Sequence, residues 1–531
     1  MLWKKNQLAV ILSIVFFCFA FVSKPVSMAE DQDNRVAPRG TLRVVDSWQA
    51  ESSACANYAE GLVALDKDNH YIPSLAKSWN WIDNRTIEFK LRRGVFFQND
   101  EPFNSKAVEI NWSAFKALHV PHAPFLNFFK ETKFEVIDDY TVRFSFPETD
   151  GMALAKFRVF FQIAPAFFRD HKFEETNWGS LSEAGPWGTG PFEVVEGKFQ
   201  DKLSDRILLK ANAKYWDKRY PKVKTIIFDN TLIADLEAAV KLCEEQEGAV
   251  DIVNFIRPID TLKIAESPFA KVVKSKDLCQ LHSAMNQRKP GSKWRDIRLR
   301  KALNYAINRE ELWQYGAKGN AYNLGGHIPP GARGHNPHLK LYKYDTDKAR
   351  ALLTEAGYPN GFEMTLITPF AQELEAQIMK IMYERIGLKV NLKVFSWPKW
   401  MYKVFTPNDE KARAETWDVS VCYNNDWNGH SGAAHLVWPY LEGSWVRWIE
   451  YDEKFERMWK DMARTFDEKQ QDEKMQKMEE YIYEKAYVVF IYSPLSLYAV
   501  NKEVNFVPRK GQRLELKETS VTDNHWSVRS K

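Results

Sequence analysis

WDVSVCYNNDWNGHSGAAHLVWPYLEGSWVRW, residues 417–448, joins a strand, an abrupt loop, an acidic side chain within that loop and five tryptophans. Trp417, Val419 and Val421 alternate with Asp418, Ser420 and Cys422, the period-two pattern of a strand with at least one buried face. Asn424-Asn425-Asp426-Trp427-Asn428-Gly429 then supplies turn-forming residues and sets Asp426 at the end of the strand among aromatic surfaces. In open α/β sheets, ligands collect just past the carboxyl ends of strands. The stretch therefore reads as the floor of a ligand cavity. The same residues also fit a surface turn backed by ordinary core tryptophans.

Upstream of this stretch the chain alternates in the α/β manner: strand at 363–368, helix at 373–386, strand at 389–395. Asp296 is placed to cap a helix carrying Leu299, Ala302, Leu303, Ala306 and Ile307 on one side, and Asp347 to cap 349–356. Downstream, Phe455, Met458, Trp459 and Met462, then Met475, Met478 and Ile482, recur at helical spacing with Glu and Lys between them. These are core-facing amphipathic helices. Strands at 488–492 and 497–500 follow. The amino-terminal third reads differently, with strands at 41–45, 86–91 and 140–146 and a helix capped by Ser105, an α+β unit. GPWGTGP at 185–191 is a cluster of chain breakers suited to a crossing between domains. An extended stretch occupies 271–286.

A chain of 531 residues is expected to fold as two to four domains. Hydrophobic residues at 45% and charged residues at 27% are those of an ordinary globular protein. The 74 basic and 70 acidic residues nearly cancel to +4, which argues against a nucleic-acid partner. Nineteen tryptophans, seven of them within 397–448, provide flat apolar surfaces with one polar edge, suited to cores and to binding pockets. Lys4 and Lys5 precede an apolar run at 8–22, and Ser27 and Ala29 stand where a signal peptidase reads. Residues 1–29 are therefore expected to be a cleaved secretory signal, leaving Cys55, Cys243, Cys279 and Cys422 in a compartment that permits disulfides.

The common catalytic signatures are missing. There is no G-x-x-x-x-G-K-[ST] loop, H-E-x-x-H helix or G-x-S-x-G elbow. GTGP at 188–191 departs from a dinucleotide loop, because a strand follows where a helix is required. His119 and His122, and His335 and His338, have ligand-like spacing but sit in proline-rich loops without a fixed cysteine or carboxylate partner. No cofactor is expected.

Four blocks in order nevertheless resemble the family 5 extracellular solute-binding proteins, the peptide and nickel receptors of ABC importers. The first is YAEGLVAL at 58–65 with PSLAKSW at 73–79 and FKLRRGVFFQNDEPFNSKAV at 89–108. GTGPF at 188–192 with ANAKYWDKRYPKVKTIIF at 211–228 is the second. IRLRKALNYAINREEL at 297–312 and YDTDKARALLTEAGYPNGF at 344–362 complete the set.

The resemblance implies an α/β, two-lobed periplasmic-binding-protein fold with an additional appended α+β domain. Lobe I would comprise 38–57, 190–277 and 490–531, the appended domain 58–189, and lobe II 278–489, with closure by a hinge. It implies a monomeric, non-enzymatic periplasmic receptor that delivers a peptide or similar amine-bearing solute to an ABC permease. YNNDW at 423–427 matches the place where peptide-binding members carry an Asp for the peptide's α-amino group, so Asp426 would be the anchor. Tyr423 would line the strand beside it, and Trp48, Trp397 and Trp427 would wall the pocket. Gly429-His430 replaces the Asp-Pro usual in those members. QIAPAFFRDH at 162–171 resembles nickel-type members instead, in which case His430 or His435 would meet a metal chelate. Cys279 matches a cysteine that some members pair with one on the strand before the Asp, so a Cys279–Cys422 disulfide is expected. An enzyme using Asp426 as a buried acid or base is the alternative of a different class.

Overall fold

The computed structural model describes residues 37–46, 50–117, 129, 131–170, 183–198, 204–405, 417–425, 433–442, 444, 447–511 and 513–529. A single 14-residue strand, Val488–Asn501, organises them, because it belongs to two differently built halves of one sheet. Its first residues pair antiparallel with Cys279–Met285 and its last with Ala270–Lys276 and Ile252–Asn254.

In the smaller half, Arg39–Asp46 lies parallel to both Val223–Asp229 and Ile252–Asn254. Arg206–Ala211 and Phe192–Lys198 extend this sheet antiparallel. Side-chain alternation splits the strand residues between two cores. Leu42 and Val44 join Ile207, Leu209, Ile226 and Phe228 on one face, while Val45 joins Val253, Ala239 and Val240 on the other.

The larger half runs Lys389–Phe395, Glu363–Pro369, Val419–Asn425, Cys279–Met285, Val488–Asn501. The first three are mutually parallel and the fourth is antiparallel to its neighbours. Leu281, Met285, Val419, Val421, Val489 and Ile491 face the helices Ile297–Ala306 and Glu373–Arg385. Leu278, Ala284, Cys422 and Phe490 face the opposite way, towards Trp397–Phe405, Ala433–Tyr440, Glu453–Ala463 and Glu468–Lys485. Phe455, Met462, Met475, Met478 and Ile482 are among the buried positions of the last two helices. Each such side chain stabilises the fold by about 1.5–3 kcal/mol on burial.

A separate antiparallel sheet, ordered Ala76–Asp83, Thr86–Leu91, Thr141–Ser145, Lys133–Asp138, forms the α+β unit. Its core is aromatic, with the Phe157 ring packed edge-to-face at 4.6 Å from Phe89 and 4.7 Å from Phe144. It is fastened to the smaller half through buried polar contacts. Gln98 donates to the carbonyl of Phe192 at 2.8 Å, and Glu60 accepts from Tyr215 Oη and Trp216 Nε1 at 2.8 and 3.0 Å. Gly188 and Gly190, in the breaker cluster, pass so close to the Tyr58 carbonyl that a Cβ would stand 2.1 and 2.5 Å from its oxygen.

Three expectations change. The helix at 105 is capped one residue earlier, by Asn104 Oδ1 accepting from Ala107 N, because the Ser105 hydroxyl is committed to the Asp138 carbonyl. Thr346–Glu355 is capped by Asp345, not Asp347. The Cys279–Cys422 disulfide is absent, and neither of the two is in a disulfide. The register explains this: Cys422 lies opposite His282 and Cys279 opposite Asn425. An offset of three residues sends the two thiols to opposite faces of the sheet. The expected signal peptide lies outside the described residues.

Candidate functional site

The two halves of the sheet meet where the chain crosses between them, at 276–278 and 493–496. Asp277, buried, accepts from the Ser496 hydroxyl at 2.7 Å, and Ser493 Oγ donates to the Cys279 carbonyl at 2.7 Å. Three strands bring their carboxyl ends to this crossing. From the larger half, Val419–Asn425 ends with Asn425 paired to Cys279, two residues from Asp277. From the smaller half, Arg39–Asp46 and Ile252–Asn254 end side by side, Asp46 paired to Asn254 and Asn254 to Tyr498. Asp46 is held by Asn254 Nδ2 at 3.0 Å and by the Ser53 hydroxyl at 2.6 Å.

Asp426 directly follows Asn425. Asp426, Trp427, His430 and Trp48 all lie outside the described residues, the last of them two residues beyond the end of Arg39–Asp46.

Tyr423 stands on the closing turn of its strand and belongs to a buried polar chain. Its hydroxyl meets that of Tyr492, and Tyr492 Oη donates to Glu375 Oε1 at 2.7 Å. Burial pushes both phenols well above the usual tyrosine range and raises the Glu375 carboxyl, which the Tyr492 hydrogen bond partly offsets. Glu375 and Tyr492 are 117 residues apart and carry no local motif, so periodicity could not join them.

On the other face, Gln280 and Asn424 lie directly opposite each other one step before the strand's end. The Gln280 amide and Asn424 Nδ2 are buried without a hydrogen-bond partner. Buried amides are nearly always satisfied, so this pair stands out among the polar groups near the crossing.

Two other residues singled out from the sequence sit deeper in the larger half. Trp397 stacks on Trp400 at 5.0 Å, and Trp400 Nε1 donates to Ser420, five residues before Asn425. His435 is fully buried, in line with His327 and His282 at ring spacings of 6.3 and 5.2 Å. Burial holds His435 and His282 down to about 3, so both are neutral imidazoles near neutral pH. Among the described residues, no three His, Cys, Asp or Glu side chains are placed to hold a metal ion. His335 Nδ1 is committed to the Ile328 carbonyl at 2.7 Å.

A Ser–His–Asp alignment at the carboxyl terminus is structural. His525 Nε2 donates to Asp251, and Ser527 Oγ, hydrogen-bonded to His525 Nδ1, also accepts from Thr41 N. All three side chains pin the terminal turn to the sheet.

Comparison with known proteins agrees with this architecture. The family described as bacterial extracellular solute-binding proteins, family 5 Middle, matches residues 70–443. Heme-binding protein A of Haemophilus influenzae is 28% identical over 352 residues, 61% of this chain and 62% of that protein. Glutathione-binding protein GsiB of Shigella dysenteriae is 28% identical over 393 residues, 72% of each. The chain thus spans less than two thirds of the first of these relatives. Among solved structures, the periplasmic binding protein DppA of Helicobacter pylori, in complex with the peptide STSA, superposes with a TM-score of 0.71 at 20% identity, over 91% of this chain and 98% of that one. NikA of Brucella suis, in complex with Fe(III)-EDTA, gives 0.76 at 18% identity, over 91% and 100%. The fold is therefore the two-lobed one of periplasmic binding proteins, and among the described residues no helix is long and apolar enough to cross a membrane.

Proposed function

Since the chain belongs to the bacterial extracellular solute-binding proteins of family 5, we propose that it is a periplasmic receptor that captures a peptide or similar amine-bearing solute between its lobes and hands it to an ABC permease. In this reading lobe I comprises 38–57, 190–277 and 490–531, with 58–189 appended to it, and lobe II comprises 278–489. The observation that carries the reading is the end of the Val419–Asn425 strand. Asn425 pairs with Cys279 beside the crossing, and the ligand's anchor is assigned to the residue that follows it in sequence, Asp426. A carboxylate there is costly to desolvate alone and favourable once an ammonium arrives. Tyr423, tied to Tyr492 and Glu375, stiffens the strand that presents it. Trp48, Trp397 and Trp427 are assigned as the aromatic walls.

Glutathione-binding protein GsiB and DppA with STSA are named for peptide solutes and support this reading, whereas heme-binding protein A and NikA with Fe(III)-EDTA are named for other ligands. The metal-chelate reading would use His430 or His435, and the full burial of His435 weighs against that residue reaching a solute. Family and fold are those of transport binding proteins, and the receptor is assigned no catalytic step.

The test is calorimetric titration of the solute that co-purifies with the receptor, identified by mass spectrometry. Asp426→Asn keeps shape and removes charge, and affinity is expected to fall by roughly 2–5 kcal/mol for a desolvated pair. Unchanged binding in Asp426→Asn, or loss confined to His430→Ala, rejects the amine anchor.

A further inference from the structure

Among the described residues, the α+β unit touches the larger half of the molecule at one seam, away from the crossing strands. Gly151 N donates to the Ala463 carbonyl at 2.7 Å, at the carboxyl end of helix Glu453–Ala463. Gln471 Nε2 donates to the Gly151 carbonyl at 3.4 Å and to the Thr465 carbonyl at 3.0 Å. Trp81 packs on Phe466 with ring centroids 4.4 Å apart, and Arg464 pairs with Glu148 across the same seam. A cavity of about 50 Å³ remains between the surfaces, lined by Tyr71, Trp81, Met152, Arg333, Phe466 and Gln471 among others. The seam differs in kind from the fastening of this unit to the smaller half, where buried Gln98 donates to the Phe192 carbonyl and buried Tyr215 donates to Glu60. Here the ion pair is exposed, both side chains being more than half accessible. Such pairs contribute little and exchange readily with water.

We propose that this seam is a latch: the turn around Gly151 docks on the end of helix Glu453–Ala463 and holds the cleft shut before any solute is bound. The proposal rests on the lobe assignment above, in which the α+β unit moves with lobe I. The contacts of this seam, far along the chain from both crossing segments, then bias the open–closed equilibrium without touching the solute. A receptor whose closed form is already populated loses less free energy on capture, and its apparent affinity rises by the populated fraction.

Gly151 gives a selective way to break the seam. A Cβ there would stand 2.0 Å from the Thr465 carbonyl oxygen, a backbone atom that cannot swing aside, yet the Gly151 backbone lies outside the left-handed region. Its own chain tolerates a side chain, so the obstacle is the opposite surface alone. Gly151→Leu is a wedge and Gly151→Ala a thinner one. Arg464→Glu places two carboxylates across the seam and serves as a second, independent variant.

The experiment is small-angle X-ray scattering on solute-stripped full chain, with thermal unfolding to confirm that each variant is folded. The wild type is expected to scatter as the closed form, and Gly151→Leu and Arg464→Glu to expand measurably, with Gly151→Ala between. Equal radii of gyration for wild type and all three variants overturn the latch. In that event a Glu148→Cys/Arg464→Cys bridge tells the two readings apart. If the oxidised bridge shrinks the protein, the lobes move but nothing latches them. If it changes nothing, the lobes do not move and the hinged reading fails with the latch.

Discussion

His525 Nε2 and Asp251 Oδ1 stand 3.0 Å apart with both side chains wholly inaccessible, and this contact ties the end of the chain to the middle of the smaller half's sheet. Asp251 Oδ1 also accepts from Trp526 Nε1 at 2.9 Å and Asn501 Nδ2 at 3.1 Å, and Oδ2 from Arg43 N at 2.9 Å. One carboxylate therefore satisfies four donors from two strands and the terminal turn. Asp251→Ala leaves them buried without an acceptor and is expected to cost roughly 3–5 kcal/mol. Urea unfolding at neutral pH reads this directly, and a loss below about 1 kcal/mol would mean that water replaces the carboxylate.

Three buried histidines set an acid limit. Burial holds His282 and His435 to about 3 and His327 well below its usual range, with the neighbouring imidazoles adding to the effect on His327. Their unfolded values lie near about 6.5. Below that pH the unfolded chain takes up protons that the folded chain refuses, so stability is lost as pH falls from about 6.5 towards 3. Each group contributes up to about 1.4 kcal/mol per pH unit. Neither nitrogen of His327 has a hydrogen-bond partner, so His327→Phe removes a titrating group and no bond. The urea midpoint is expected to fall less steeply between pH 6.5 and 4 in that variant, and identical slopes would reject burial of His327 as a cause.

Why some of this could be read from the sequence, and some could not, follows from the range of the interactions. The strand through Val419 and Val421 and the Met-rich helices follow side-chain periodicity, which is local, and the blocks at 89–108 and 297–312 pointed to the family that matches 70–443. Caps were placed to within two residues, because Asn104 and Ser105, or Asp345 and Asp347, differ only in which oxygen is already committed elsewhere. Register is not local. The pairing of Cys422 with His282, which parts the two cysteines, is set by how two distant strands align. The fusion of the strands expected at 488–492 and 497–500 into one strand likewise depends on partners in both halves, with Pro494 and Ser496 kept in the ladder by Ala321–Asn323 and Ala270–Lys276. At the site, Asp426 is proposed from its place after a strand in the sequence, whereas Glu375 and Tyr492 meet only in the folded molecule.

The opposed faces of Cys279 and Cys422 make a chemical prediction. Both thiols are fully buried, and burial drives both far above the usual cysteine range. The reactive thiolate is thus suppressed as well as hidden. Alkylation of the native protein followed by non-reducing peptide mapping is expected to leave both unmodified, and alkylation in guanidinium to modify both. Recovery of a Cys279–Cys422 bridged peptide would contradict the register.

Glu479 supplies the opposite, alkaline limb. It is buried, and its carboxylate receives the backbone N–H groups of Ile328 and Asn336, each at 2.7 Å, which fold the 325–336 loop against helix Glu468–Lys485. Burial outweighs those donors and raises the carboxyl to about 8. An acid raised in this way keeps a proton that the unfolded chain releases near about 4.3. Its stabilisation is present below that value and is lost as pH climbs towards 8. Combined with three histidines acting the other way below about 6.5, the stability maximum is expected near pH 6.5. Glu479→Gln should flatten the alkaline limb. It should also cost roughly 1–3 kcal/mol at every pH, because the amide turns an N–H towards one of the two donors. Gly326→Ala is expected to reproduce the cost without the flattening. The added Cβ would stand 2.1 Å from Glu479 Oε1 and push the loop off the carboxylate while leaving it free to titrate. Urea midpoints from pH 5 to 9 for the three proteins decide the matter, and a Glu479→Gln profile parallel to the wild type would show that another group sets the alkaline limb.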